Sequence, residues 1–176
     1  MQLRNILFID IETVGITDDY ENLDERLKTQ WSRKAAFLKR EEGITDQELF
    51  NQRAGIYAEF GKIVTIGVGY FVSKDKGLEF RVKALYSDDE KELLESFKDL
   101  IRKINNDHLI LCAHNGREFD FPYLSRRMLI NGIPLPNVLD LAGKKPWEVQ
   151  HLDTMDLWKF GDRKSTRLNS SHVRTS

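Results

Sequence analysis

The chain has 176 residues, of which 40% are hydrophobic, and its 27 lysine and arginine residues nearly balance 28 aspartate and glutamate residues, for a formal net charge of −1. These are ordinary values for one globular domain large enough to bury a core. No apolar run approaches the ~20 residues of a membrane span, no signal-peptide pattern is present, and a single cysteine, Cys112, excludes an internal disulfide, so we expect a cytoplasmic domain without membrane contact.

The first predicted element is a strand that ends in two acids. An apolar run begins at Ile6 and closes with Asp10 and Glu12, one residue apart. Because a strand alternates its side chains between two faces, both acids must point the same way. Two acids beside buried neighbours are costly without a positive partner, and Mg²⁺, which takes carboxylate oxygens, is the usual one. Taken alone, the pattern fits equally well a strand that ends at the surface with both acids solvated.

A helical insertion is predicted next. A helix over about 23–40 carries Trp31, Ala35 and Leu38 on one face, at a spacing typical of core packing. A second helix is predicted to begin after Thr45, with Glu48 three residues later completing a capping box. The insertion is long for a connection between the first two strands.

The remaining elements follow in a regular order. Apolar patterns predict strands over 61–72 and 78–86, and an amphipathic pattern predicts a helix over 88–105. A short apolar strand over 109–113 precedes a helix over 121–131. The chain is therefore predicted to be an α/β protein with a mixed sheet, in which three antiparallel strands are followed by a parallel βα unit.

A third acid is predicted to reach the same edge of the sheet. Asn115 and Gly116 follow the strand over 109–113, and Asp120 stands where the next helix begins. Open α/β sheets place their ligands beyond the carboxyl ends of their strands. Strand, turn and helix would therefore bring Asp120 to the rim where Asp10 and Glu12 lie.

Two segments resemble the motifs of a known family. Residues 10–13, Asp-Ile-Glu-Thr, resemble the first motif of the DEDD 3′–5′ exonucleases, and residues 115–120, Asn-Gly-Arg-Glu-Phe-Asp, resemble the second. Both segments are most similar to the predicted bacterial exonucleases related to the proofreading domain of family B DNA polymerases. The resemblance covers residues 2–161 and implies a ribonuclease-H-like fold.

The resemblance also implies a reaction and its site residues. It implies hydrolysis of phosphodiester bonds at nucleic-acid 3′ ends, of DNA proofreading or repair type, with two Mg²⁺ or Mn²⁺ ions and single-stranded DNA 3′ ends as substrate. The implied catalytic residues and metal ligands are Asp10, Glu12 and Asp120. The implied contacts to the terminal nucleotide and the last bases are Thr13, Asn115, Phe119 and Tyr123. For Phe119, simple core packing is an equal alternative.

A fourth acid belongs to the family's third motif, a Tyr-x-x-x-Asp or His-x-x-x-x-Asp pattern on a late helix. His151 and Asp156 have the second spacing, but only 36 positions separate Asp120 from Asp156, and we expect no further strand and helix to fit between them. Residues 151–154 instead resemble the family's Asp-Thr segment between the second and third motifs. We therefore expect the third motif to be absent and the fold to be incomplete at the C-terminus, with the His151–Asp156 pair as the alternative.

The last residues differ in character from the rest. Residues 162–172 back-translate, with ordinary codons, to a common short-read sequencing adapter. We therefore expect 1–161 to be a truncated exonuclease domain of impaired activity and 162–176 to be a non-native disordered tail. Without this tail the chain has 23 basic and 27 acidic residues, net −4. Nucleic acid would then be bound through metals and local basic groups, for which Arg117, Arg126 and Arg127 are candidates.

Two rival functional classes stay open at this stage. A catalytically inactive nucleic-acid-binding module on the same fold would bind tightly without needing a metal. A phosphatase or phosphotransferase would use Asp10 as in the Asp-x-Asp or Asp-x-Gly-x-Thr loops of other families. Against it, position 12 is glutamate and no glycine follows at the required place.

Overall fold

The computed structural model describes residues 2–38, 40–75, 77–104 and 107–162. Within these ranges a five-stranded mixed sheet forms the centre of the molecule, in the order β3-β2-β1-β4-β5. Its strands are β1 (Ile6–Gly15), β2 (Gly61–Lys74), β3 (Gly77–Tyr86), β4 (Ile110–Ala113) and β5 (Leu152–Asp153). β1 and β3 pair antiparallel with β2, whereas β4 runs parallel to β1 and to β5. Three antiparallel strands followed by parallel ones make this a ribonuclease-H-like fold, as predicted.

Strand β5 is an element that the sequence analysis did not predict. Its two residues are too few to show an apolar period, and the strand exists only because Leu152 and Asp153 pair with Cys112 and Ala113 of β4. The expectation that no further strand fits between Asp120 and Asp156 was therefore wrong.

Of the helices in the described residues, the first four lie close to predicted helices, whereas the last was not predicted from the sequence. The helices are α1 (Glu25–Ala35), α2 (Asp46–Arg53), α3 (Glu90–Ile104), α4 (Asp120–Ile130) and α5 (Thr154–Lys159). Asp24 caps α1. This helix ends at Ala35, earlier than the predicted end near residue 40. The predicted capping box of α2 is confirmed: the Glu48 N–H donates to Oγ1 of Thr45, and the Thr45 N–H donates to Oε2 of Glu48. No helix in the described ranges has both the length and the apolar character needed to cross a membrane.

Two apolar clusters support the sheet and the insertion. The main cluster lies on one face of the sheet and combines strand residues such as Leu7, Ile9 and Ile66 with helix residues such as Phe97 and Phe121. The second cluster surrounds Trp31, which is fully buried among Ala35, Leu49, Phe50 and Phe60. The prediction that the Trp31 face packs into a core is confirmed.

The alternation of β1 decides which face carries its acids. Ile9 and Ile11 are buried in the main cluster, while Asp10 and Glu12 between and after them are exposed. The strand therefore presents both carboxylates on the face away from the main cluster, at its carboxyl half.

Candidate active site

The candidate site lies where β1 and β4 diverge. The two parallel strands pair only over Ile6–Phe8 and Ile110–Cys112, and β1 continues beyond that pairing. Asp120, the first residue of α4, lies against this continuation, and its Oδ1 accepts a hydrogen bond from the Ile11 N–H at 3.1 Å. The acid of the second motif thus contacts the backbone of the residue between the two acids of the first.

Asp120 is an acid in an unfavourable place for a negative charge. The residue is 3% exposed, and the pKa of its carboxyl is raised from 3.8 to about 6, mainly because burial removes its hydration. The hydrogen bond from the Ile11 N–H acts in the opposite direction. The negative charges of Asp10 and, to a smaller extent, Asp153 contribute to the same rise in the pKa. A cation bound here would stabilise the charged carboxylate and so offset both its lost hydration and the repulsion from Asp10 and Asp153.

The turn before α4 aims Asp120 at β1. Asn115 adopts a left-handed backbone conformation with φ of 60°, and its carbonyl accepts the N–H groups of Glu118 and Phe119 at 3.2 and 3.0 Å. Gly116 packs so tightly that an added Cβ would lie 2.4 Å from the Cβ of Ala113 and 2.9 Å from Cζ of Phe121. The turn therefore has little freedom, and neither does the start of the helix that follows it.

Asp153 holds this turn from the neighbouring strand, a role that the sequence analysis missed. Its carboxylate is buried and accepts hydrogen bonds from the backbone N–H groups of Asn115, Arg117 and Met155 at 2.9, 3.1 and 3.0 Å. The available sequence signal was an aspartate immediately before a helix, the position of an N-cap. Its contacts with residues 36 and 38 positions earlier had no local signal.

The three predicted metal ligands are only partly brought together. Asp10 lies close enough to Asp120 for its charge to raise the pKa of that carboxyl. Glu12 is exposed, and the pairing of β1 with β2 is irregular between Glu12 and Thr13. Within the described residues, no three histidine, cysteine, aspartate or glutamate side chains form a group able to hold a metal ion.

The residues predicted to contact substrate are buried to different extents. Tyr123 is 2% exposed, and its hydroxyl donates to the Gly55 carbonyl at 2.9 Å and hydrogen-bonds the Thr13 side chain. Phe119 is half-buried at the edge of the main cluster, with its ring centroid 5.3 Å from that of Tyr123. Stacking of Tyr123 on a base would require its ring to leave this position.

Asn115 differs from these residues because one of its polar atoms has no partner. Its side-chain Oδ1 is buried without a hydrogen-bond partner in the described part of the chain. Buried acceptors are normally paired, so an unpaired one at a candidate site is a place for a donor from a ligand.

The alternative pair for the fourth acid is engaged elsewhere. Nδ1 of His151 accepts from the Leu111 N–H at 3.3 Å, and Nε2 donates to the Val138 carbonyl at 2.7 Å. Burial lowers the pKa of His151, in keeping with a neutral ring in these two hydrogen bonds. Asp156 is exposed and pairs with Lys159 and Arg117. Both nitrogens of His151 are therefore used by the protein, and none is left to orient a water.

The basic residues near the site also differ from one another. Arg117 is partly exposed, and its Nη2 donates to the His151 carbonyl at 2.7 Å. Arg126 is exposed. Arg127 is only 4% exposed and forms a buried ion pair with Glu90. Arg127 is therefore excluded as a contact for nucleic acid, because its guanidinium faces the protein interior.

The sheet order and the acids between β1 and α4 identify the class of protein: an α/β protein of ribonuclease-H-like topology with carboxylates at the edge of its sheet. The chain belongs to the family of predicted 3′–5′ exonucleases related to the exonuclease domain of PolB, whose family model matches residues 56–173. The matched range contains Asn115, Asp120 and Asp153 and begins after Asp10 and Glu12.

Among solved structures, the chain is similar to the family B DNA polymerase from the hyperthermophilic archaeon Pyrobaculum calidifontis. The two are 19% identical with a TM-score of 0.39, and the similarity covers 74% of this chain. The chain spans only 11% of the length of that polymerase. No curated protein matches the chain significantly.

Proposed function

We propose that the protein is a metal-dependent 3′–5′ exonuclease that removes nucleotides from DNA 3′ ends, of proofreading or repair type. One observation carries this proposal: Asp120 of the second motif is buried against Ile11 of the first motif, with its pKa raised to about 6 by burial and by Asp10. Family membership supports the same reaction.

The donor types at the site suit a hard divalent cation. Asp10, Glu12 and Asp120 supply carboxylate oxygens, the ligands that Mg²⁺ and Mn²⁺ prefer, and we propose them as the ligands of two ions. When bound, such ions activate a water and stabilise the leaving 3′ oxygen. The hydrogen bond from the Ile11 N–H holds one oxygen of Asp120 in place. Asp10 and Glu12 are exposed, so ions and substrate can reach them from solvent.

Single-stranded DNA is the proposed substrate. In the reaction, an oxygen of water bonds to the terminal phosphorus, the bond from phosphorus to the 3′ oxygen breaks, and that oxygen takes up a proton. We propose that Asn115 offers its unpaired buried Oδ1 to a donor of the terminal nucleotide. Phe119 follows the turn that contains Asn115, Thr13 hydrogen-bonds Tyr123, and Arg117 supplies a partly exposed positive charge. We propose all of these as substrate contacts, together with Tyr123 if its ring moves outward.

We further propose that this chain is an impaired nuclease. The reason is structural: Asp10 and Asp120 interact, but the described residues contain no group of three metal-binding side chains. The segment 162–176 that we expect to be non-native lies, except for Asp162, outside the described residues. Resequencing the source locus tests that expectation, and a native reading frame that carries this tail would refute it.

The test is digestion of a single-stranded DNA labelled at its 3′ end, in Mg²⁺ or Mn²⁺. Three proteins are compared with the chain itself: Asp10→Ala, the matched surface variant Asp75→Ala in the turn between β2 and β3, and a version that carries the source locus sequence after Gly161. We expect slow cleavage by the chain, faster cleavage by the restored version, and none after Asp10→Ala. Asp75→Ala should behave as the chain does. Rapid cleavage by the unmodified chain would overturn the impairment, and cleavage unaffected by Asp10→Ala would overturn the site.

A second candidate function is favoured by one observation. Because no group of three metal-binding side chains forms within the described ranges, the fold could serve as a catalytically inactive nucleic-acid-binding module. Fluorescence anisotropy with labelled single-stranded DNA separates the two functions. Binding that is equally tight in EDTA and in Mn²⁺, without cleavage by the restored version, favours the binding module.

A further inference from the structure

The buried carboxylate of Asp153 lies at a junction of three segments. It belongs to β5, it accepts the Met155 N–H in the first turn of α5, and it accepts the N–H groups of Asn115 and Arg117 in the turn before α4. The residue is 4% exposed. A buried carboxylate of this kind needs hydrogen-bond donors to offset its loss of hydration, and here the backbone supplies three.

The conformation of Asn115 explains why these donors converge. A left-handed residue in a turn directs neighbouring backbone N–H groups to one side, where they form a concave site for an anion. Asn115 has φ of 60°, and its own N–H and that of Arg117 point to the two oxygens of Asp153, Oδ1 and Oδ2 respectively. The anion in this concave site is therefore a side chain of the protein itself.

A chain of contacts runs from this turn to Asp120. The carbonyls of Asn115 and Gly116 accept the N–H groups of Phe119 and Phe121 at 3.0 and 2.9 Å, which sets the start of α4. Asp120 stands between those two donors and reaches the Ile11 N–H of β1. Displacement of the turn would therefore move the first residue of α4 relative to β1.

We propose that Asp153 is a positioning residue: by holding the Asn115–Arg117 turn, it fixes the Asp120 carboxylate against β1. Its importance for catalysis rests on the proposed function, but the positioning itself does not. Asp153→Asn tests the idea sharply, because the side-chain amide keeps the shape of the carboxylate. Its oxygen can still accept from Asn115 and Met155, whereas its NH₂ group would face the Arg117 N–H, donor against donor.

The experiment is amide hydrogen exchange by NMR on the 176-residue chain without metal. In Asp153→Asn we expect exchange at Arg117 and at Ile11 to accelerate at least tenfold, while the Val68 amide of β2, which pairs with strands on both sides, changes much less. The matched control is Asp24→Asn, because Asp24 likewise caps a helix, accepting the Leu27 N–H at 2.7 Å, but in α1, which packs in the cluster around Trp31. This control should leave exchange at Ile11 unchanged.

Other outcomes would overturn the proposal. Acceleration at Arg117 with an unchanged Ile11 amide shows that the turn moves without Asp120. Equal acceleration at Ile11 and Val68 shows general destabilisation rather than positioning. If Asp153→Asn does not fold, the test is an NMR measurement of scalar couplings across hydrogen bonds in the unsubstituted chain. Couplings from the Asn115 and Arg117 amides to the Asp153 carboxyl carbon support the proposal, and their absence overturns it.

A metal titration separates this proposal from the proposed function. Residues that orient a metal ligand typically change affinity by about 10- to 100-fold when they are replaced, so we expect Asp153→Asn to weaken Mn²⁺ binding by at least tenfold. Unchanged affinity in Asp153→Asn, with affinity lost in Asp10→Ala, overturns the role of Asp153 and leaves the nuclease site intact. Mn²⁺ affinity that does not respond to Asp10→Ala counts against the proposed function, while selective exchange at Ile11 would still support positioning.

Discussion

Replacement of Arg127 by methionine should destabilise the protein by about 3–5 kcal/mol, the range for removing one partner of a buried ion pair. Arg127 binds Glu90 through two hydrogen bonds, Nε to Oε1 at 2.9 Å and Nη2 to Oε2, and its Nη1 donates to the Ala58 carbonyl at 2.9 Å. Methionine fills much of the same volume but leaves Glu90 buried without its cation. The loss would be a large share of the roughly 5–15 kcal/mol that stabilises a typical domain.

The pair matters for the site because Arg127 stands on α4, two turns after Asp120. Glu90 also accepts the Ile63 N–H of β2 at 2.7 Å and the Asn131 side-chain amide at 3.0 Å. The ion pair therefore ties the helix that carries Asp120 to the first turn of α3 and to the central sheet.

Urea denaturation of a double-mutant cycle measures this contribution. Arg127→Met, Glu90→Gln and the double variant are compared, and we expect the double variant to be less destabilised than the sum of the single variants by about 1–3 kcal/mol. Arg102→Met is the control, since Arg102 forms an exposed ion pair with Asp99 and its loss should change stability by less than about 1 kcal/mol. A cost below 1 kcal/mol for Arg127→Met, or strictly additive effects in the cycle, would refute the reasoning.

Three further predictions concern the site and its surroundings. Because the pKa of Asp120 is raised from 3.8 to about 6, its carboxyl stays protonated to a higher pH in the folded state than in the unfolded state. The free energy of unfolding should therefore fall by about 2 kcal/mol as the pH rises from 4 to above 6. Asp120→Asn should remove this fall. If urea denaturation shows the same stability difference between Asp120→Asn and the unsubstituted chain at pH 4 and at pH 7.5, the prediction is wrong. Tyr123→Phe should cost about 0.5–1.5 kcal/mol by chemical denaturation, because the partly buried Gly55 carbonyl loses its donor. No change would mean that water replaces the hydroxyl. Gly116→Ala should cost about 1–3 kcal/mol by overpacking against Phe121, and an unchanged melting temperature would show that the turn can yield.

Much of the site's location could be predicted from local patterns. The end of β1 and the strand–turn–helix pattern around Asn115 are signals within a few residues, and they bring Asp120 to the strand that carries Asp10. Whether Glu12 joins Asp10 and Asp120 in one group could not be predicted this way, because that depends on how β1 packs against α4, and the Ile11–Asp120 contact joins residues 109 positions apart in the chain.

The roles of Asp153 and Arg127 illustrate the same limit. Both are charged residues in or beside helices, and by pattern alone each resembles a cap or a solvated surface charge. Asp153 instead accepts donors from a turn 36 residues earlier, and Arg127 pairs with an acid 37 residues earlier. The sequence contains the residues but no periodic signal that would connect them.

For this protein, the amino-acid sequence alone determined the types and order of the main elements, the faces of the apolar strands and helices, and two acidic motifs. These properties arise from interactions between residues a few positions apart, which repeat with the period of a strand or a helix. The tertiary structure decided which charges are buried, which carboxylates interact, and that Leu152 and Asp153 form a strand. Each of these depends on desolvation and on hydrogen bonds between distant segments, which exist only once the chain has folded.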